Sequence, residues 1–586
     1  MFDGQLHSLT ISEGHPSTFP EYAFAKAREV PEKLELDHCV AVTKHWLLPC
    51  DACTLQTKKL PQNWHFTRHY DPLHRFCQPP IIGELPDRVL DLGSHGSSSI
   101  TLVQGLGKTA RYNVLSHCWK ETGEEIANMT NLSIEQETPS TSLDLLSRTL
   151  HDAVLLTRVL GVQYLWIDVL CDPQHGCLMS ESRLLNEAAI YSNSYLNIAA
   201  TSSSTCNDGL FGGRRTPVPD RTQPNPTQET AARFIEVKLR DSDEPTGVYA
   251  RRELQSAYSD FCSVNLFAHQ SKRSPLLASP RFFQQRLLSP RILHVHAEEL
   301  VWECTSNTQC ECGNLDAGLD TSRSSYTIGA LSLKRELVEV RDDLWVESPH
   351  NYHHMGKFWR TLMQRYTSLR FERDSDVLLY LSVIAKSLVH RFGGRYLAGM
   401  WASHLESELF WHNWSGPLTS SSETNTAPSW SWASLPWGSD KEMRITYRYI
   451  ANEHLVKDTR LEILSASTTL AGIDSFGPVS AGLLKIKGVA VPAIIGGSDG
   501  FLHRPGHTDA PKHNVSLDYR HDSNNTEDID VVCLLMGKQP YRDSENALIL
   551  NRSERAAGAY KRIGVMSVRT DLEWFKGAVE HIFDIV

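Results

Sequence analysis

Between residues 112 and 201, strand-like runs alternate with helix-like segments, and this alternation constrains the fold more than any other feature. Residues 112–118 (Tyr-Asn-Val-Leu-Ser-His-Cys) read as a short strand. Leu146, Leu150, Ala153, Val154, Thr157 and Leu160 then repeat at three- and four-residue spacing, which predicts an amphipathic helix over about 143–160 that ends at Gly161. Tyr164 to Leu170 is an apolar run of strand length, as expected of a buried strand. A second helix fits about 180–192, and residues 195–201 read as another strand. Strands that alternate with helices pack as layers around a mainly parallel sheet, so the expectation is an α/β domain. Residues 88–92 and 100–104, separated by a Gly/Ser turn, add two short strands ahead of it.

Outside this core the text changes character. Residues 1–80 show little regular periodicity but hold many Cys and His. Residues 215–230 carry Pro217, Pro219, Pro224 and Pro226 among polar residues and read as a surface loop. From about 330 to 412 the pattern is helical, at 331–340, 357–369 and 376–390. Residues 415–427 are a Ser/Thr-rich linker. Beyond about 440 strands dominate, at 443–450, 461–465, 483–491, 530–536 and 561–568. No repeat of about 20–50 residues is visible. The expected organisation is an N-terminal Cys/His-containing region (1–84), an α/β domain (85–300), a mostly helical region (301–414), a linker (415–427) and a β-rich region (428–586). A chain of 586 residues has room for about three or four such units.

Charge narrows the function. The net charge of −11 leaves a deficit of the Lys and Arg that broad phosphate contact demands, so nucleic acid is not an expected partner. No stretch reaches the roughly 18 apolar residues of a membrane helix. The first seven residues have neither a basic segment nor an apolar one, so a cytoplasmic location is expected. In a reducing compartment the 13 cysteines are buried thiols or ligands rather than a disulfide framework.

Three clusters bear chemistry. Cys50-x2-Cys53 is followed, after 11 residues, by His65-x3-His69, a donor set that suits tetrahedral Zn²⁺, with His74 and Cys77 as competing ligands. Buried thiols and scattered surface histidines are the alternative. Ser116, His117 and Trp119 end a strand, where ligands of parallel sheets sit; Trp119 can stack on a flat ring, or simply pack. Asp168 is the only charge in an apolar run. A buried carboxylate is costly unless paired, so it either caps a neighbouring loop or orients a ligand. Trp430 and Trp432 alternate at strand spacing and read as a packing platform. Cys304, Cys310 and Cys312 suggest a further thiol cluster.

These motifs resemble the fungal heterokaryon incompatibility (HET) domain family. Leu115-Ser116-His117-Cys118-Trp119 resembles its opening motif. Tyr164 to Cys171 with Gln174 is similar to its second, and Ile190 to Thr201 with Gly209-Leu210-Phe211 to its third. Residues 286–291 and 300–304 are similar to its closing segment, and 396–401 and 428–434 to features that follow the domain. The resemblance implies a TIR-like, flavodoxin-like core. It also implies a role in non-self recognition after cell fusion, with programmed cell death as output, protein partners, and oligomerisation as an option. Some TIR domains cleave NAD⁺, so the resemblance brings NAD⁺ in as ligand or substrate. A third alternative is an accessory role, for example beside a biosynthetic gene cluster.

The chain departs from the family pattern around the implied pocket. The family's Glu position falls on Arg183 and its Met position on Glu187. The Gly after Trp119 is Lys120, the Gln-Glu pair is Gln284-Gln285, and the Trp position is Arg281. Glu187 lies one helical turn from Arg183 and shares its face, so Glu187 and Asp168 are the candidate catalytic carboxylates. The expected ligand pocket comprises Ser116, Trp119, Lys120, Asp168, Cys171, Arg183 and Tyr191. Positive charge there favours an anionic ligand and disfavours the cationic transition state of nicotinamide loss.

Overall fold

The computed structural model describes residues 10–11, 25–26, 30–52, 77, 82–118, 140–172, 179–214, 235–236, 249–250, 261, 274–313, 315, 333–341, 350–418, 427–437, 444–447, 456–496, 501–505, 514–519, 528–539 and 543–586. The chain divides into two compact units, Met1–Met179 with Leu185–Leu344, and Ser180–Leu184 with Trp345–Val586.

The first unit is built on a nine-stranded sheet. Its strands are β1 (Arg88–Asp91), β2 (Ser99–Gln104), β3 (Tyr112–Ser116), β4 (Ser140–Ser142), β5 (Tyr164–Trp166), β6 (Leu196–Ala199), β7 (Arg291–Val295), β8 (Leu300–Cys304) and β9 (Thr308–Cys310). They lie in the order β9-β8-β7-β6-β3-β5-β1-β2-β4. The helices used below are α1 (Leu36–Ala52), α2 (Arg148–Val159), α3 (Asp168–Cys171), α4 (Glu181–Ser192), α5 (Pro280–Leu288) and α6 (Leu333–Arg341).

Strands β5, β3, β6 and β7 pair in parallel, while every pairing outside them is antiparallel. The sheet is therefore mixed rather than mainly parallel. The reason lies in the connections. Helical crossovers through α2, α4 and α5 return the chain in the same direction, whereas the short links β1–β2, β7–β8 and β8–β9 can only reverse it. In chain order the parallel strands run 2-1-3-4 across the sheet.

The run from Tyr164 to Leu170 is not a single strand. It leaves the sheet after Trp166 and turns into α3, where Cys171 and Asp172 donate to the carbonyls of Ile167 and Asp168. Asp168 thus opens a helical turn and accepts the Val169 N–H at 2.9 Å. The predicted helix over 143–160 is a 3₁₀ turn at Leu143–Leu145 followed by α2. Arg158 of α2 is buried and donates to the carbonyls of Leu92, Ser97 and Ser99, which pins the Gly/Ser turn.

α1 was not foreseen. It contains Pro49 and still buries Cys39, Val40, Trp46, Leu47 and Cys50 in the same core as the sheet. Trp46 packs on Trp302 of β8 with ring centres 6.1 Å apart.

The second unit holds helices α7 (His350–Tyr366) and α8 (Asp376–Phe392), then a β-rich region. Its main strands are β10 (Glu462–Leu470), β11 (Val479–Ile495), β12 (Ile529–Gln539), β13 (Ser544–Arg552), β14 (Tyr560–Arg569) and β15 (Val579–Ile585). The pairings β11–β12–β13–β14–β15–β11 form a closed circuit, so this sheet leaves no free edge among those five strands. Trp430 and Trp432 are fully buried, but Trp432 opens a 3₁₀ turn, Trp432–Ser434, and the pair is not in a strand.

Candidate functional site

The carboxyl ends of the parallel strands deliver Ser116 (end of β3) and Asp168 (just past β5). The crossover helices deliver Glu187 and Tyr191 on α4 and Arg281 and Gln285 on α5. Pro280 and the Ser279 hydroxyl, which accepts the Phe282 N–H, start α5 and place Arg281 in its first turn.

Arg281 links two carboxylates. Its Nε lies 3.0 Å from Glu187 Oε1, its Nη2 2.9 Å from Glu187 Oε2, and its Nη1 3.0 Å from Asp168 Oδ2. The Arg281 side chain is 18% exposed, while those of Asp168 and Glu187 are each 5% exposed, so the guanidinium roofs the carboxylates. Burial works against the charge on Arg281, but Glu187 and then Asp168 outweigh it and hold its pKa well above the ordinary value.

A neutral polar chain continues inward. Gln285 Nε2 donates to Glu187 Oε1, and the Ser116 hydroxyl lies 2.9 Å from Gln285 Oε1 and 3.0 Å from Asn197 Oδ1. Asn197 Nδ2 donates to Ser289 Oγ, which donates to the Gln285 carbonyl. The Tyr191 hydroxyl is 3.3 Å from Ser116 Oγ and donates to the Leu115 carbonyl. Burial, then Glu187 and Asp168, hold Tyr191 well above its usual pKa, so it remains a donor.

The structure thus joins Ser116, Asp168, Glu187 and Tyr191 in one connected set. Cys171 sits in the hydrophobic core, and burial pushes its thiol up to about 12, which removes it as a nucleophile at neutral pH. Arg183 is buried in the first turn of α4, among the five residues grouped with the second unit. Trp119 and Lys120 lie outside the described residues. Arg281, Gln285 and Asn197 were missed as site residues. The departures at Arg281 and Gln285 were visible in the sequence, but their partner Glu187 is 94 and 98 residues away.

Chemically, the set offers no carboxylate clear of a cation. Both acids spend their oxygens on Arg281, Gln285 or the backbone. A cationic sugar centre would have to displace the guanidinium before either acid could stabilise it.

Among the described residues of the first unit, two thiol-containing clusters are arranged so that they could hold a metal ion: Cys50, Cys77 and Cys304, and Glu299, Cys310 and Cys312. The expected ligands Cys53, His65 and His69 lie outside the described residues. No disulfide joins the described cysteines. No helix among the described residues is long and apolar enough to cross a membrane.

Fold and site together define an α/β domain with a polar constellation at the carboxyl edge of its parallel strands. Residues 112–263 match the family model described as Heterokaryon incompatibility protein (HET). Over those residues the chain is similar to the heterokaryon incompatibility family, as its motifs indicated. The matched stretch contains Ser116, Asp168, Glu187, Tyr191 and Asn197; Arg281 and Gln285 lie beyond it. No curated protein and no solved structure matches the chain.

Proposed function

We propose that this chain is a HET-domain signalling protein of the cytoplasm, acting with protein partners in fungal non-self recognition and cell death. Its pocket takes a nucleotide-type ligand such as NAD⁺ without cleaving it efficiently. The observation that carries this reading is the double engagement of Arg281 with Glu187 and Asp168. Cleavage of the nicotinamide–ribose bond builds positive charge on the sugar, and a carboxylate must be available to answer it. Here a fixed cation already engages both carboxylates.

Ligand binding at this edge, and a TIR-like or flavodoxin-like core, are supported by the 2-1-3-4 order of the parallel strands. That order is shared with flavodoxin-like sheets, in which ligands sit where the order reverses, outside the carboxyl ends of the strands. Here that point falls between β3 and β6, beside Ser116 and Asn197. A hydrolase reading requires Arg281 to swing away, and nothing in its bonding favours that.

The test is overexpression in a fungal host, with viability and NAD⁺ measured together. Growth arrest without NAD⁺ depletion is expected, and it should be lost on Ser116→Asp. Arrest that is unchanged by Ser116→Asp and Asp168→Ala overturns the signalling role of this site.

A further inference from the structure

Cys50 at the end of α1, Cys77, and Cys304 at the end of β8 bring three sulfurs to one point. All three residues are buried, and their Sγ atoms lie within 4.8 Å of one another. The Cys50 and Cys77 sulfurs are 3.7 Å apart. Sulfurs placed tetrahedrally at about 2.3 Å from Zn²⁺ are separated by about 3.8 Å, so this spacing is that of ligands around one ion. A disulfide needs about 2.05 Å.

The Asn307 N–H donates to Cys304 Sγ at 3.2 Å, and Cys77 Sγ donates to Ser306 Oγ at 3.5 Å. Such contacts orient the sulfurs. Lys334 of α6 lies near the cluster. It is 3% exposed, its Nζ has no hydrogen-bond partner among the described residues, and its charge interacts first with Glu303 and then with Cys304 and Cys77.

The second cluster is less suited. Its Cys310 and Cys312 sulfurs are only 3.3 Å apart, closer than a tetrahedral edge, and Glu299 already accepts the Cys312 N–H at 2.8 Å.

We propose that Cys50, Cys77 and Cys304 bind a thiophilic divalent cation of the zinc class as a structural centre. Binding releases three thiol protons and forms three metal–sulfur bonds. The tris-thiolate complex of a divalent ion carries one net negative charge, which the Lys334 ammonium, shared with Glu303, offsets in part. A water or a further side chain takes the remaining coordination position. The centre ties α1 and Cys77 to the end of β8, and it does not depend on the proposed nucleotide pocket.

The full chain, purified after expression with zinc in the medium, tests this by metal analysis and zinc-edge X-ray absorption. About one zinc per chain with three sulfurs at about 2.3 Å is expected. Cys77→Ser and Cys304→Ser should each lower the zinc content at least tenfold. Cys206→Ser, another buried thiol of the same unit, should keep it. The wild-type absorption spectrum decides the matter even if a variant fails to fold. Absence of stoichiometric metal overturns the proposal. So does a shell of two sulfurs and two nitrogens, the signature of Cys50, Cys53, His65 and His69. Zinc lost only in Cys310→Ser assigns it to the other cluster and also overturns the proposal.

Discussion

The guanidinium of Arg281 holds the carboxylate of Glu187 in a two-pronged pair, with Nε–Oε1 at 3.0 Å and Nη2–Oε2 at 2.9 Å. The pairing joins α5 to α4 across the carboxyl edge of the sheet. Fixed fork geometry and low exposure make such a pair stronger than a surface ion pair. Its removal from one side leaves buried charge without an answer.

Arg281→Met should therefore cost about 3 kcal/mol of stability, because Glu187 and Asp168 both lose their cation. Glu187→Gln in the Arg281→Met background should recover part of that loss. A double-mutant cycle read by urea unfolding should give a coupling of about 2 kcal/mol. A coupling near zero would mean that the pair is a surface contact of no consequence.

Glu408 provides a pH dependence in the second unit. It is fully buried, accepts the Trp401 N–H at 3.0 Å, and burial pushes its carboxyl up to about 8. The Trp401 bond and Arg360 oppose the shift without cancelling it. The folded pKa lies above the unfolded value of 4.5, so the folded state binds the extra proton between those two values. The contribution is complete below about 4.5 and is lost as pH rises through about 8. Glu408→Gln should remove this slope, leaving the variant less pH-sensitive than wild type by about 3 kcal/mol between pH 5 and 8. Unfolding curves for both proteins at the two pH values measure it. Identical slopes would show that Glu408 is ionised in the fold.

Gly399 predicts a packing effect. Its φ is +91°, and a Cβ there would meet Cζ2 of the Trp432 ring at 2.4 Å. Its carbonyl also accepts the indole N–H of Trp359 at 3.1 Å. Gly399→Ala should cost about 3 kcal/mol through backbone strain and displacement of a fully buried ring. A thermal melt checks it, and an unchanged melting temperature would show that Trp432 has room to move.

The parallel centre of the first unit was legible because β3, β5 and β6 are short apolar runs spaced by helical segments, a pattern that depends only on local burial. What failed was local ambiguity and distance. Tyr164 to Leu170 reads as one strand because an apolar run cannot say where a strand ends and a buried helical turn begins. α1 hid behind Pro49 and its histidines, yet packing against Trp302 offsets the broken periodicity. The flanking antiparallel strands came from short connections whose turns carry little signal. Asp168 and Glu187 stood out by type and position, but their cation, Arg281, is 94 residues from Glu187 and was visible only as a departure from a pattern. Positive charge was expected from Arg183 and Lys120. In the described structure Arg281 supplies it directly to both carboxylates.

The most direct test of the account is nicotinamide release from NAD⁺ by the purified chain. With both carboxylates held by Arg281, turnover should stay near the uncatalysed background in the wild type and in Glu187→Ala, while NAD⁺ binding remains measurable by calorimetry. Robust wild-type turnover that disappears in Glu187→Ala would contradict the account and make Glu187 the catalytic acid. Turnover that survives that change but is lost in Asp168→Ala would contradict it equally and move the role to Asp168.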